Sequence, residues 1–437
     1  MAGESYLSKP QKFLVRPAPG WIPVTLEELK LVLASPSQKY KFSPKLTVED
    51  GIIFLENTDY RQAMEVVSRL STAYDVEWVL HSARVSSRAG WSEYFKKSNL
   101  DKIWREPKGL KLSLSVQVTH PVVGTAKDVK KYALDFLEPC AINVLDSTSR
   151  ESLDAKVRIE SQKNRARILI SMAGEPLYKR GYKNELSNAV APLPEHHAAA
   201  CYYWSAYRLG YEVQDAMRSG EMPFVVPFAG SGTLGFESFC RLLNIAPGLM
   251  RGQYAFEHFS FNPEKTLATI KRRLMAQVMN GDVRLLFGDV DAGVCKTLDK
   301  NILGFQNRIK GLAKDSSEDN DREIRLSGSL KENNFLKDSL GLIGKEERVF
   351  LALNPPYGDR LAKKTGADSI YRDLGRVIKD LSQRTIVCGF VLCGSESSWG
   401  VFLKQIDSFK TKTTHFTHGG IDLRVVVFSS KKTLASS

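Results

Sequence analysis

Short apolar strands alternate with helical segments through the second half of the chain, from about residue 189 onward. The candidate strands are residues 224–227, 283–288, 349–353, 385–392 and 423–428. Strands separated by helices cannot pair as hairpins, so helical crossovers place them parallel, with helices on both faces of one sheet. The alternation therefore predicts a doubly wound α/β fold. A polar run at residues 310–322 interrupts it and is predicted to be an inserted surface loop.

The first 174 residues show a different pattern and contain no cluster of catalytic residue types. Their apolar periodicity predicts strands at residues 13–15, 51–55 and 112–118, and a hairpin that pairs residues 157–159 with 167–172. The same reasoning predicts helices at residues 25–33, 59–70 and 126–137. We therefore expect an α+β region in front of the α/β domain.

The composition adds one charge argument and several exclusions. Lysine and arginine number 62 against 49 aspartate and glutamate residues, and the net charge of +13 favours a polyanionic partner without proving one. The six cysteines form no CxxC pair and the histidines have no ligand spacing, so no metal site or disulfide framework is predicted. The chain shows neither a secretory leader nor an apolar stretch of about 18 residues. We expect a cytoplasmic protein without membrane contact.

A glycine-rich turn follows the first strand of the α/β domain. Glycine lets a ligand approach the backbone, and the helix predicted from about residue 234 offers free N–H groups. The turn has neither the GxGxxG spacing of dinucleotide sites nor the Gly-Lys-Ser/Thr ending of a P-loop. It is a candidate cofactor site, although a tight turn also needs glycine for purely structural reasons. The candidate residues are Pro227, Phe228, Ala229, Gly230, Ser231, Gly232 and Thr233.

The next clear strand ends on two carboxylates, Asp289 and Asp291. A carboxylate at the carboxyl end of a strand beside the glycine-rich turn can accept hydrogen bonds from ribose hydroxyls. Asp289 is the candidate for that role. Asp291 is better explained as a cap for the helix that follows.

The strand at residues 349–353 stops at Asn354-Pro355-Pro356-Tyr357, the most informative motif in the chain. Two prolines remove two N–H donors and keep the backbone extended, so the Asn354 amide oxygen and the Pro355 carbonyl can face a ligand. An amino group conjugated to a base is a poor nucleophile. If those oxygens accept its two protons, its lone pair can point at a methyl sulfonium while Tyr357 stacks on the base. Such a pocket requires a single-stranded or flipped nucleotide. An ordinary loop is the alternative.

Together these motifs resemble the amino-directed class I methyltransferases, and more closely the THUMP-domain RNA guanine-N2 methyltransferase family, which includes a 23S ribosomal RNA enzyme. The similarity covers residues 14–428, is patchy before residue 177, and includes residues 177–183, 191–199, 245–256 and 354–361. It implies a class I, Rossmann-like methyltransferase domain at residues 177–437. Residues 1–70 would be a ferredoxin-like lead-in, and residues 71–176 a THUMP-like RNA-binding domain.

The resemblance also implies a cofactor, S-adenosylmethionine, and a reaction, methyl transfer to N2 of a guanine in RNA. Large-subunit ribosomal RNA is the first expectation and transfer RNA the second. The cofactor would contact the glycine-rich turn and a set of further residues, Pro192, Glu195, Asp289, Ser329 and Asn354.

A basic segment at residues 84–111 suits the implied contact with RNA. It carries eight lysines or arginines against three acidic residues, interleaved with Trp91, Tyr94, Phe95 and Trp104. Such a mixture fits phosphate contact and base stacking. For the four aromatic residues core packing is preferred, which leaves the lysines and arginines as the expected RNA contacts.

Three positions depart from the family pattern. Val226 stands where an aspartate usually holds the methionine amino group, Ser329 where an aspartate usually reads the adenine, and Pro194 where a basic residue usually precedes Glu195. These departures keep a noncatalytic RNA-binding or ribosome-assembly relative open as an alternative. An adenine-N6 methyltransferase would use the same Asn-Pro-Pro-Tyr chemistry and is a further alternative. The sequence indicates no oligomeric state.

Overall fold

The computed structural model describes residues 9–34, 41–145, 151–183, 193–261, 264–315, 323–356 and 366–430. The chain divides into two compact units. The first consists of Met1–Pro17, Thr25–Lys179 and Arg251–Arg273, and the second of Ala18–Val24, Arg180–Met250 and Leu274–Ser437. The break after residue 179 lies close to the predicted start of the C-terminal domain at residue 177. The finer functional boundaries at residues 70 and 176 stay predictions.

The strands of the first unit are β1 (Gln11–Pro17), β2 (Lys45–Glu49), β3 (Ile52–Thr58), β4 (Ala73–Arg84), β5 (Lys111–Pro121), β6 (Asn143–Leu145), β7 (Ala155–Lys163) and β8 (Arg165–Ser171). Within the described residues they form one sheet in the order β2-β3-β1-β4-β8-β7-β5-β6. All neighbours are antiparallel except β5, which runs parallel to β6 and β7. Because β4 pairs with both β1 and β8, the predicted lead-in and the predicted THUMP-like region share a sheet.

The helices in the first 171 residues are α1 (Ile22–Leu33), α2 (Tyr60–Arg69), α3 (Gly90–Ser98) and α4 (Ala126–Leu137). Local sequence explains where two of them begin. The Asp59 side chain accepts a hydrogen bond from the Gln62 amide at the start of α2, and Thr125 and Asp128 form a capping box at α4. The helices predicted at residues 59–70 and 126–137 are confirmed.

The four aromatic residues of the basic segment pack inside the first unit. Trp91, Tyr94, Phe95 and Trp104 are all buried, and the Trp91 indole N–H donates to the Val123 carbonyl at 2.7 Å. Core packing, the preferred interpretation of these rings, is confirmed. They are therefore not available to stack on RNA bases.

The strands of the second unit are β9 (Phe224–Val226), β10 (Gly281–Asp289), β11 (Ile324–Glu332), β12 (Arg348–Leu353), β13 (Ile386–Cys393), β14 (Lys410–His418) and β15 (Ile421–Ser429). Within the described residues the sheet order is β11-β10-β9-β12-β13-β15-β14. Strands β9 to β13 are parallel, and β15 pairs antiparallel with β13 and β14. The predicted doubly wound, Rossmann-like sheet is confirmed.

Two helices precede the first of these strands, and the other helices described after residue 194 lie between strands along the chain. They are α5 (Glu195–Leu209), α6 (Tyr211–Arg218), α7 (Thr233–Leu242), α8 (Pro247–Met250), α9 (Glu264–Ala276), α10 (Ala292–Asp315), α11 (Ser339–Ile343), α12 (Ala367–Leu381) and α13 (Glu396–Gln405). Buried residues cover both faces of the sheet: Phe224, Phe350 and Phe390 pack in one cluster, and Val225, Leu351 and Val391 pack in the other. None of the described helices is long and apolar enough to cross a membrane.

The prediction of a surface loop at residues 310–322 is wrong for its first part, because α10 continues to Asp315. Leu298, Phe305 and Ile309 are buried at helical spacing, and Leu312 continues that apolar stripe beyond residue 310. Residues 316–322 lie outside the described part of the chain. Strands β11 and β14 were not predicted, because their sequences are rich in polar residues.

Candidate active site

The order of the second sheet places a crevice at one particular edge. From β9 the chain moves outward to β10 and β11, and then crosses back to β12 on the other side of β9. In open parallel sheets, ligands bind at the carboxyl ends of the strands where the order reverses in this way. The turn after β9, Asp289 at the end of β10 and Asn354 after β12 therefore lie at one edge.

The two glycines of the turn have different local roles. Both have left-handed backbone conformations, with φ of 53° at Gly230 and 86° at Gly232. A Cβ at Gly232 would lie 2.6 Å from the Leu298 side chain and 2.7 Å from the Phe236 ring, so packing requires glycine there. A Cβ at Gly230 would meet no atom of the described residues within 4 Å. Gly230 therefore borders open space that a ligand can fill.

Asp289 ties the end of β10 to this turn. Its Oδ2 accepts a hydrogen bond from the Gly230 amide at 3.0 Å, and its Oδ1 accepts one from the Asp291 amide at 3.2 Å. Each carboxylate oxygen keeps a further lone pair for a ligand. Asp291 instead caps α10, since its Oδ1 accepts from the amides of Gly293 and Val294. The proposed division of roles between the two acids agrees with this geometry.

Helix α7 starts directly after the turn, and its N-cap residue forms no side-chain capping bond within the described part of the chain. Its N-cap residue is Gly232, which has no side chain to offer. The hydroxyls of Ser231 and Thr233 are buried and lie 3.0 Å apart. Uncapped amides at a helix N-terminus favour a negatively charged ligand group. Pro227 and Ala229 are buried beneath the turn, and Phe228 is half-buried.

Asn354 immediately follows β12 at the same edge. Its side-chain oxygen is buried and has no hydrogen-bond partner within the described residues. An unsatisfied buried acceptor is costly, so a ligand donor is expected to reach it. Pro355 is buried and Pro356 is exposed. Tyr357 lies outside the described residues.

Ser329 does not reach this edge. It pairs with Leu286 in the middle of β11, three residues before the strand ends opposite Asp289 at Glu332. Asn333 occupies the position directly after the strand, where its backbone N–H donates to the backbone carbonyl of Asp289 at 2.8 Å. The Asn333 Oδ1 is buried without a partner in the described part of the chain, whereas its Nδ2 donates to the Asp338 carbonyl. The structure thus offers Asn333, not Ser329, as the acceptor beside Asp289.

A buried ion pair joins the segment before α5 to the first residue of that helix. Lys183 Nζ lies 2.9 Å from Glu195 Oε1, and both side chains are less than a tenth exposed. The same ammonium donates to the Thr233 hydroxyl at 3.1 Å. Glu195 is thereby held near the first turn of α7. Pro192, predicted to act with it, lies outside the described residues.

A second buried cluster lies on α7 itself. Tyr182 donates its hydroxyl proton to Glu237 Oε1 at 2.7 Å, and Arg180 Nε lies 3.5 Å from the same oxygen. Burial raises the pKa of Glu237 despite the attraction of Arg180, and burial also raises the pKa of Tyr182. These contacts anchor residues 180–182 against the helix that carries the glycine-rich turn. They give the Arg-Gly-Tyr segment a structural explanation.

Comparison with known proteins identifies the domain that contains this edge. A family described as "RMKL-like, methyltransferase domain" matches residues 213–425. These residues are thus similar to an RMKL-like methyltransferase domain. Ribosomal RNA large subunit methyltransferase K/L of Vibrio parahaemolyticus is 30% identical over 236 residues, which are 53% of this chain and 29% of that protein. The protein of the same name from Photobacterium profundum is 24% identical over 375 residues, 82% of this chain and 46% of that protein.

The chain thus spans less than half of the length of these curated relatives. Among solved structures, SMU.472 in complex with SAH matches with a TM-score of 0.67 and 18% identity, over 98% of this chain and 100% of that chain. At this identity the match concerns the fold. It covers the methyltransferase domain and the first unit alike.

Two of the residues that depart from the family pattern have clear positions in the second unit. Val226 is fully buried in β9, and Pro194 is the extended residue that precedes α5. No group of three or more metal-ligating side chains occurs in the part of the chain that the structure describes. Sequence reasoning missed Asn333 and Lys183. Asn333 could have been found only if the polar strand β11 had been recognised, whereas Lys183 directly follows the Arg-Gly-Tyr segment.

Proposed function

We propose that this protein transfers the methyl group of S-adenosylmethionine to the exocyclic N2 amino group of a guanine in RNA, with large-subunit ribosomal RNA as the first candidate. The observation that carries the proposal is the buried Asn354 side-chain oxygen, which has no partner among the described residues and lies where the strand order reverses. A buried acceptor followed by two prolines suits a ligand that brings an N–H donor.

The residues at the sheet edge fit S-adenosylmethionine. Asp289 retains lone pairs for ribose hydroxyls, and Asn333 Oδ1 is a buried acceptor suited to the adenine amino group. The uncapped start of α7 suits the methionine carboxylate, and Gly230 leaves room for close approach. SAH, the demethylated product of this cofactor, is bound by the similar fold of SMU.472. When bound, the cofactor supplies an electrophilic methyl group on a sulfonium.

The protein's contribution to the reaction is positioning. Asn354 Oδ1 and the Pro355 carbonyl would accept hydrogen bonds from the two N–H groups of the amino nitrogen, which would direct its lone pair toward the sulfonium methyl. Orientation of this kind can supply much of the rate acceleration without a strong general base. Tyr357 stays predicted as the stacking partner of the base.

The choice of RNA rests on the relatives and on charge. Proteins named ribosomal RNA large subunit methyltransferase K/L match more than half of this chain, and the net charge of +13 favours a polyanion. Residues 71–176, the proposed THUMP-like domain, would bind structured RNA through lysines and arginines. Transfer RNA is the second candidate.

The test uses methyl-labelled S-adenosylmethionine with unmodified ribosomal RNA, transfer RNA and duplex DNA in separate reactions, followed by digestion to nucleosides. We expect N2-methylguanosine in ribosomal RNA, and a loss of at least about a hundredfold in rate for Asn354→Ala with cofactor affinity retained. Leu303→Ala, an exposed change on α10, is the matched control and should keep full activity.

Other outcomes separate the alternatives. If N2-methylguanosine appears in transfer RNA, the substrate assignment changes from ribosomal to transfer RNA. If N6-methyladenine appears in DNA, the proposal is overturned but the role of Asn354 is kept. Val226, an aliphatic residue where the family usually has an aspartate, favours a noncatalytic RNA-binding relative as the rival. No label in any substrate, together with no cofactor binding in calorimetry, would establish that rival.

A further inference from the structure

The outward surface of α5 is aromatic where a surface helix is normally polar. Ala198, Cys201 and Leu209 bury the inner side of the helix in the core of the second unit. The other side of α5 carries Tyr203, Trp204, Tyr207 and Arg208, and α6 begins with Tyr211 after Gly210. We call these five residues the tyrosine face; Tyr203 and Trp204 are partly buried against the same core. Tyr207 is 64% exposed and Tyr211 is 83% exposed. Exposed aromatic rings in two successive helices, accompanied by basic side chains, are a candidate binding surface.

Cations lie against these rings. The Arg208 guanidinium is stacked over the Trp204 ring and lies 5.8 Å from the centre of the Tyr207 ring. Arg241 of α7 lies 5.1 Å from the centre of the Tyr203 ring. Such contacts are attractive, and they place a guanidinium beside each ring.

The tyrosine face also has donors that lack acceptors. The Trp204 indole Nε1 and the Arg208 Nε are buried and have no hydrogen-bond partner within the described residues. Arg208 forms no ion pair with a described acidic residue, and its one intramolecular bond is donated to the Trp204 carbonyl at 3.2 Å. Burial also lowers the pKa of Arg208. A ligand for this surface should therefore supply acceptors and negative charge.

We propose that the tyrosine face binds unpaired RNA nucleotides, with bases stacked on Tyr207 and Tyr211 and phosphates contacting Arg208 and Arg241. Single-stranded nucleic acid combines exposed π faces with anionic acceptors, and proteins bind it through aromatic residues beside basic ones. A duplex keeps its bases stacked internally and could not use the tyrosines. This site rests on the proposed function in that it takes the substrate to be RNA.

The position of the surface distinguishes it from the proposed catalytic pocket. Glu195, the first residue of α5, pairs with Lys183 near the start of α7, and Tyr207 lies twelve residues further along the helix, or about 18 Å. A strand that enters the pocket could therefore reach the tyrosine face a few nucleotides away from the target base.

The test measures binding of a fluorescein-labelled oligouridylate of about twelve nucleotides by anisotropy. We expect the double substitution Tyr207→Ala/Tyr211→Ala to weaken binding about tenfold or more, with the melting temperature and the affinity for S-adenosylmethionine unchanged. Tyr207→Phe/Tyr211→Phe keeps both rings and should bind within about twofold of the wild type. Leu303→Ala controls for loss of an exposed apolar side chain.

Unchanged oligouridylate binding by the double alanine variant would overturn the proposal, as would an equal loss in the double phenylalanine variant, which would exclude stacking. An alanine variant that binds RNA normally but no longer self-associates in sedimentation would assign the surface to a protein partner and also overturn it. Failure of the proposed function is distinguishable, because it appears as absent methyl transfer by the wild type, whereas this site is measured without any reaction.

Discussion

The side chain of Asp289 accepts a hydrogen bond at 3.0 Å from the backbone amide of Gly230, which joins the end of β10 to the turn after β9. The contact links two segments that lie 59 residues apart in the chain. It orients the glycine-rich turn and leaves carboxylate lone pairs pointing away from the turn amide. Four predictions test this geometry and its surroundings.

Replacement of Asp289 by asparagine should weaken S-adenosylmethionine binding about tenfold to a hundredfold. The change removes a charge-assisted hydrogen bond to the turn and one proposed partner of the ribose hydroxyls, each worth about 1.5–3 kcal/mol at most. Isothermal titration measures the affinity. Asp291→Asn, two residues away, should lower the melting temperature slightly and leave cofactor affinity nearly intact, because Asp291 caps α10. Equal affinities for wild type and Asp289→Asn would contradict the assignment.

Asn333→Ala should reduce cofactor affinity by about tenfold, because it removes the buried acceptor beside Asp289. Ser329→Ala is its matched control, since Ser329 lies three residues inside β11. The same titration compares them, with S-adenosylmethionine and with a cofactor analogue that lacks the adenine amino group. Asn333→Ala should not discriminate between the two ligands, whereas the wild type should prefer the amino form. A larger loss from Ser329→Ala would restore the sequence-based prediction.

The two glycines of the turn should respond differently to alanine. Gly232→Ala should destabilise the fold by about 2–4 kcal/mol, because it combines a left-handed backbone with overlap against Leu298 and Phe236. Gly230→Ala should cost only about 1 kcal/mol in denaturant unfolding, since its Cβ meets open space. It should nevertheless weaken cofactor binding. The idea fails if Gly230→Ala binds the cofactor normally.

Acid should destabilise the protein partly through His197. Burial, followed by the nearby charge of His418, lowers the pKa of His197 from 6.5 to about 3. Its Nδ1 accepts a hydrogen bond from the Trp21 indole at 3.0 Å, which requires a neutral ring. Between pH 6.5 and 3 the unfolded chain therefore takes up a proton that the folded protein does not. The free energy of unfolding should fall by up to about 1.4 kcal/mol per pH unit from this group.

His197→Gln keeps an acceptor for Trp21. It should reduce the pH dependence of the unfolding free energy by the equivalent of up to one bound proton, as measured by denaturant unfolding at pH 7, 6 and 5. His415→Gln, which changes an exposed side chain of β14, should keep the slope of the wild type. A slope that is the same in all three proteins would show that His197 does not contribute.

Much of the fold could be predicted because its signals are local. A short apolar run such as residues 349–353 is readily predicted as a buried strand. The helix at residues 126–137 begins with its own capping box. Strands β11 and β14 could not be predicted, since their polar residues are tolerated only at the edges of the sheet. The same local reasoning stopped α10 too early at residue 310.

The site divides in the same way. The glycine-rich turn, Asp289 and the Asn354 motif could be proposed from the sequence, because each is a short run whose chemistry follows from a strand end, glycine or proline. The side chain beside Asp289 depends on the register of β11, which places Asn333 there and Ser329 three residues inside the strand. The fold also pairs Lys183 with Glu195 and leaves Tyr207 and Tyr211 exposed. Register and burial depend on partners far away in the chain, and no local pattern records them.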